Sequence, residues 1–422
     1  MSAQDHIPLD DQARAILRGN DRGGYTMPTA GLYPYQWNWD SAFAAWGFSS
    51  FDIERAWREL ETLFSGQWDT GMVPHILFHQ DDPGYFPGPS VWGTEGMGPI
   101  PSSGISQPPV AATLSRWIYE ADPEAGRERL AALYPKMVDW HRWFDRWRVV
   151  DGMVAVTHPW ESGRDNCPDW DMGMANVDGS KVGAYERRDL GHVDAAMRPG
   201  KADYDRYLAI LQFGKACNWD DQTIYDDGPF LIADPGMHFI LLRANDDLAA
   251  IGRELGLDTG EVEDMAATLR AGAEGLWNPS LGAYDARDLR TARFADNLSS
   301  AAFLAYYARV EHEGLEERLL KAWNGVRYGI PSADPEASGF EPRRYWRGPS
   351  WPVVNALIAR GLTETGRTGL AERLRCETEE LIRSGGFYEY FDPTDGHPAG
   401  GANFTWTAAV WLAWASPSAG QD

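Results

Sequence analysis

Residues 121–148 read A-D-P-E-A-G-R-E-R-L-A-A-L-Y-P-K-M-V-D-W-H-R-W-F-D-R-W-R, and the fold follows from how they are spaced. Leu130, Leu133, Tyr134, Met137, Trp140, Trp143 and Phe144 recur at steps of three and four, which places them on one face of a helix. The helix runs over 125–148, and A-D-P-E-A-G joins it to another over 108–120, giving a helical hairpin. Outward from it, helices are expected at 9–19, 53–64, 203–217, 235–255, 260–275, 296–309, 315–323, 350–362, 367–383 and 403–415. Asp40 and Ser41 read as N-cap residues in front of the apolar run Ala42 to Phe48. The hairpins run into aromatic, glycine-bearing turns, L-W-N-P-S-L-G-A-Y-D (276–285) and G-G-F-Y-E-Y-F-D-P-T-D-G (385–396). Period-two alternation long enough for a core strand is almost absent. The expectation is an all-α chain, one unit over 1–422, whose hairpins close into an (α/α)6 barrel with loop insertions at about 66–109 and 172–200. An open solenoid is the competing arrangement.

Composition narrows the function. The formal net charge is −24, from 62 acidic residues against 38 Lys and Arg, a field that repels nucleic acid. An anionic ligand would need a local basic group. The three cysteines, Cys167, Cys217 and Cys376, are widely spaced with no C-x-x-C, which fits a reducing cytosol and neither a disulfide framework nor a zinc site. The start M-S-A-Q-D-H-I-P-L-D-D shows no leader, and no run of eighteen apolar residues marks a membrane span. A cytoplasmic protein is expected, without cofactor or metal, and a homo-oligomer is left open. The 20 Trp, 17 Tyr and 16 Phe point to an aromatic-lined site.

Three loops set carboxylates among aromatic residues: Y-P-Y-Q-W-N-W-D-S (33–41), H-P-W-E-S-G-R-D-N (158–166) and G-G-F-Y-E-Y-F-D-P (385–393). Aromatic faces stack on sugar rings, and two opposed carboxylates are what glycoside hydrolysis usually requires. Asp40 is a candidate to grip sugar hydroxyls or a plain N-cap. In the second loop Asp165 and Glu161 compete for the role of acid, and either could instead pair with Arg164. Glu389 stands among Tyr388, Tyr390 and Phe391. His75 and His79 have i, i+4 spacing, but Pro74 precedes them and no E-x-x-H accompanies them, so zinc is not expected. No P-loop, dinucleotide fingerprint or G-x-S-x-G elbow is present.

W-N-W-D-S, W-E-S-G-R-D-N, Y-W-R-G-P-S-W (345–351), Y-E-Y-F-D-P and F-T-W-T-A (404–408), in this order, resemble the catalytic domain of glycoside hydrolase family 63, over roughly 30–410. The compact chain is most similar to that family's small bacterial hydrolases of mannosylglycerate and glucosylglycerate. The resemblance implies an inverting α-glycosidase with Asp165 as general acid and Glu389 as the base that activates water. It implies a sugar pocket lined by Tyr35, Trp39, Asp40, Gln107, Trp160, Tyr345, Trp346, Gly348 and Trp351, although core packing is an equal expectation for Trp351. It also implies a clamp for the glycerate carboxylate from Arg198, Tyr204 and Tyr85. Asn403 stands where the family tends to have a glutamine, which bears on the aglycone. Rival readings are an α-glucosidase on other small glycosides or oligosaccharides, a sugar epimerase or isomerase on the same barrel, and a sugar-binding protein without catalysis.

Overall fold

In a computed structural model of the chain, the structure describes residues 8–82, 84–187, 189–191 and 193–419. The first seven residues, most of the stretch read above for a leader, lie outside these. The helices begin with α1 (Leu9–Asn20), α2 (Asn38–Ser49), α3 (Ile53–Ser65), the single turn α4 (Pro89–Trp92), α5 (Ala111–Ala121) and α6 (Pro123–Trp147). They continue with α7 (Asp171–Met174), α8 (Lys201–Ala216), α9 (Asp221–Asp227), α10 (Pro235–Leu255) and α11 (Gly260–Gly272). The last are α12 (Leu304–Tyr307), α13 (Leu315–Asn324), α14 (Pro352–Glu364), α15 (Thr368–Gly385) and α16 (Thr405–Val410).

Among the described residues α2, α5, α10, α12, α14 and α16 touch in that order, and α16 returns to α2. The helices therefore close into a ring, and the open solenoid is excluded. Outside it α3 packs on α2, α6 on α5, α11 on α10 and α15 on α14, while α1 covers α16. Sequence explains the two layers. Ten of the twelve residues of α2 are buried, from Asn38 through Phe48, as suits a helix enclosed on all sides. In α3 burial is confined to one face, carried by Ala56, Trp57, Leu60, Leu63 and Phe64. The ring closes tightly where α2 meets α16: a Cβ on Gly47 would sit 2.5 Å from Ala409 Cβ. Asn20 Nδ2 donates to Thr405 Oγ1 at 2.9 Å, and Trp411 Nε1 to Asp10 Oδ1 at 2.6 Å, tying early and late segments across this seam.

Several local expectations change. The helix expected over 296–309 shrinks to a 3₁₀ turn, Ser300–Phe303, and α12, because Ser299 bridges Ala333 and gives its hydroxyl to Asp169 instead. Asp40 and Ser41 lie inside α2, not at its cap, which is Trp37. The turns at 276–285 and 385–396 carry β-pairing, Trp277–Asn278 with Ala283–Tyr284 and Tyr388–Phe391 with Pro398–Ala402. A small antiparallel sheet, ordered Val149–Val150, Met153–Val156, Ile232–Ala233 and Arg287–Asp288, launches the 157–171 loop.

Candidate active site

At the loop end of the ring lies a cavity with about 880 Å³ of empty space, its open mouth included. Both loop insertions contribute to its wall, through His75, Tyr85 and Gln107 from the first and Asp189 and Arg198 from the second. Four indoles, Trp37, Trp39, Trp160 and Trp406, face it; Trp57, Trp92, Trp140, Trp143, Trp170 and Trp323 are core. The chain's wealth of tryptophan is thus mostly packing.

Asp165 reaches the cavity from a loop held on every side. Its carbonyl accepts from Tyr207 Oη at 2.9 Å, the Arg164 carbonyl accepts from Trp170 Nε1 at 2.7 Å, and Asn166 Oδ1 accepts from the Trp346 N–H at 2.9 Å. Gly163, at φ +67°, passes so close to Trp39 that a Cβ would lie 2.7 Å from its ring. Burial raises the Asp165 carboxyl to about 7, with the Glu389 charge adding to the rise and Arg198 opposing it. A carboxyl so placed remains partly protonated near neutrality.

The rival acid is otherwise engaged. Glu161 accepts from Arg148 Nη2 at 2.8 Å and from the Thr157 N–H and hydroxyl at 2.7 and 2.9 Å, behind the cavity wall. Arg164 pairs with neither Asp165 nor Glu161 but with Asp169 at 2.8 Å and Asp234 at 2.7 Å.

Glu389 enters from the other side of the ring, on the strand Tyr388–Phe391. Burial raises its carboxyl above the usual range, and four neighbours act against this: Arg198, the Gly401 N–H, Tyr33 and Tyr345. Gly401 N–H donates to Oε2 at 3.0 Å and Tyr33 Oη to Oε1 at 3.1 Å, while Arg198 Nη1 is 3.9 Å from Oε1. Trp406 Nε1 holds the Glu389 carbonyl at 3.1 Å.

Asp40 is 4% exposed, and burial followed by the Glu389 charge pushes its carboxyl far up. Among the described residues no other side chain donates to it, so its oxygens are left for a ligand. Gln107 spends Oε1 on the Trp39 N–H at 3.2 Å, and its NH₂ has no protein partner among the described residues. Arg198 Nε is held by Asp189 at 3.1 Å and its guanidinium lies 4.2 Å over Tyr345, yet among the described residues its buried Nη1 has no hydrogen-bond partner. Tyr85, Trp160, Tyr204 and Tyr345 line the same space.

Four residues expected in the sugar pocket stand outside its lining. Tyr35 packs edge-on against Tyr85 at 5.1 Å, behind the wall. Trp346 and Trp351 stack at 3.8 Å in the core, behind Trp39 and Tyr345 respectively. Gly348 gives its N–H to Ser332, and its close neighbour is the Glu341 carbonyl. Asn403 is exposed in the left-handed region, φ 50°, off the lining. In exchange the structure brings in Tyr33 and Trp37, each two residues before the expected pair. Of the Y-P-Y pair only Tyr33 faces the cavity, whereas both indoles of W-N-W do. His75 also lies on the wall.

Two carboxylic acids from separate sectors of a helical ring, meeting across one aromatic cavity, define a glycoside hydrolase. The mannosylglycerate hydrolase MGH1-like glycoside hydrolase domain matches residues 33–407, and the chain belongs to that family. A crystal structure of the family 63 mannosylglycerate hydrolase from Thermus thermophilus, in complex with Tris and D-glycerate, superposes with a TM-score of 0.92. It is 44% identical and covers 96% of this chain and 100% of that one. Mannosylglycerate hydrolase MGH2 of Selaginella moellendorffii is 45% identical over 96% of this chain and 85% of its own. A glucosylglycerate hydrolase of Mycolicibacterium hassiacum is 36% identical over 96% of this chain and 97% of its own. Among the described residues no helix is long and apolar enough to cross a membrane.

Proposed function

We propose that this chain hydrolyses mannosylglycerate or glucosylglycerate to hexose and glycerate with inversion at the anomeric carbon. Asp165, neutral at first, gives its proton to the glycosidic oxygen as the C1–O bond breaks. Glu389, as the anion, takes a proton from the water that attacks C1 from the opposite face, so the hexose leaves as the β anomer. Solvent exchange then returns a proton to Asp165 and removes one from Glu389. Asp40 and the Gln107 amide engage hexose hydroxyls between aromatic walls.

The observation that carries the substrate class is Arg198 Nη1, a buried cationic donor 3.9 Å from Glu389 and with no hydrogen-bond partner among the described residues, in a chain of net charge −24. A carboxylate beside the scissile bond supplies what that donor lacks, and Tyr85 and Tyr204 complete the clamp. Hexose release from the two glycosylglycerates and from glucosylglycerol, assayed in parallel, tests this. Release from the glycerates alone is expected, and Arg198→Lys is expected to raise their KM about tenfold or more through loss of the planar fork. Equal turnover of glucosylglycerol would discard the clamp, and retention of configuration seen by proton NMR would discard the mechanism.

A further inference from the structure

His75 and His79 share a spacing but not a task. His79 Nε2 meets Gln36 Oε1 at 2.7 Å, and its ring stacks on Tyr25, away from the cavity. His75 sits on the cavity wall, its backbone fixed on both sides: its N–H donates to the Ile105 carbonyl at 2.8 Å and its carbonyl accepts the Asn38 N–H at 3.0 Å. Its ring lies nearly parallel to Trp160, centroids 6.3 Å apart, and edge-on to Trp37 at 6.5 Å. The imidazole is therefore built into the same aromatic wall that a hexose would stack against.

Ser103 sets the tautomer. Its Oγ accepts the Ile76 N–H at 3.0 Å and has one proton to donate and one lone pair left. It lies 3.2 Å from His75 Nδ1 and 3.5 Å from the Ile105 carbonyl, and the nearer acceptor is the ring nitrogen. With Nδ1 accepting, the ring proton sits on Nε2. Nε2 has no protein partner among the described residues and is not sealed off from the cavity. Burial keeps the imidazole pKa well below its ordinary value, with the His158 charge a smaller contributor, so the ring stays neutral.

We propose that His75 is a further hexose-contacting residue, donating from Nε2–H to a hydroxyl of the bound sugar. This rests on the glycosidase reading above but is tested apart from it, by calorimetric binding of free glucose, free mannose and their monodeoxy derivatives to the full chain. His75→Phe, which keeps the aromatic contacts and loses the donor, is expected to weaken binding of the parent hexose about tenfold. His75→Gln, whose amide nitrogen falls near the position of Nε2, is expected to recover most of it. One monodeoxy hexose should bind His75→Phe as well as its parent does, while wild type prefers the parent, a pattern that a purely structural role does not produce. Should His75→Phe not fold, His75→Asn, whose amide ends near Nδ1, carries the same expected loss relative to His75→Gln. Wild-type affinity in His75→Phe, or deoxy preferences identical in wild type and variant, overturns the assignment. Hydrolysis of the glycosylglycerates by wild type is scored alongside: its failure would remove the reaction proposed above, while the binding series still decides His75.

Discussion

Asp165 is a carboxyl that neutral pH finds near half-protonation, since burial raises it to about 7. The form that can donate to a leaving oxygen is the neutral one, so kcat/KM should fall about tenfold per pH unit above that value. Measuring kcat/KM from pH 5 to 9 checks this, and Asp165→Asn is expected to lose activity by orders of magnitude at every pH. Stability carries the same information with its own sign. The unfolded carboxyl loses its proton near 3.8 and the folded one near 7, so the folded state binds more protons between them and wild type loses stability as pH rises through that window. Asn bears no such burden, and Asp165→Asn should show a Tm gain over wild type that is absent below pH 4 and full by pH 8. Residue types and loop locations were legible in the sequence here, since Asp165, Glu389, Asp40, Gln107 and Arg198 all face one cavity. Facing direction was not: a regular extended stretch would put Tyr33 and Tyr35 on the same side, but the chain bends at Tyr35, so Tyr33 lines the cavity while Tyr35 packs behind Tyr85, and no residue pattern marks that bend.

The β-hairpin carrying Glu389 and the loop carrying Asp165 are held by different means, and each fails in its own way. Gly400 has φ +74°, and a Cβ there would lie 2.4 Å from Glu389 Oε2. Gly400→Ala is expected to displace Glu389, the base proposed above, and cut kcat by about 100-fold or more, with the far-ultraviolet circular dichroism unchanged. The loop depends on a buried ion triad in which Arg164 bridges Asp169 and Asp234, joining the loop to the N-cap of α10. Arg164→Met leaves two buried acids without their cation and should cost about 3–5 kcal/mol in urea unfolding. Asp234→Asn in the same chain should restore part of that. Helical elements were read from spacing within a few residues of their bounds, as in α3, α6, α10 and α15. Short β-pairing around 277–284 and 388–402 escaped notice because two to five residues hold too little alternation to register.

At the scale of the whole molecule, the two acids are joined by the ring rather than by sequence, and ring closure is the event that makes a site. The seam between α2 and α16 has no spare room: a Cβ on Gly47 would meet Ala409 Cβ at 2.5 Å and its Cα at 2.6 Å. Gly47→Ala should therefore lower stability by about 1–3 kcal/mol through overpacking, seen as a lower Tm, while kcat at 25 °C stays within about twofold because Gly47 is not among the residues lining the cavity. Closure itself is legible in the repetition of helical hairpins running into aromatic, glycine-bearing turns. Its tightness depends on small residues opposed across the seam, Gly47 and Ala409, which lie far apart in the chain. This arrangement also dictates a timetable. During synthesis α2 emerges about 350 residues before its partner α16, so the flank of α2 that α16 covers waits unpaired through that interval. Until α16 has left the exit tunnel the ring stays open, and the cavity lacks the wall that Phe404 and Trp406 supply.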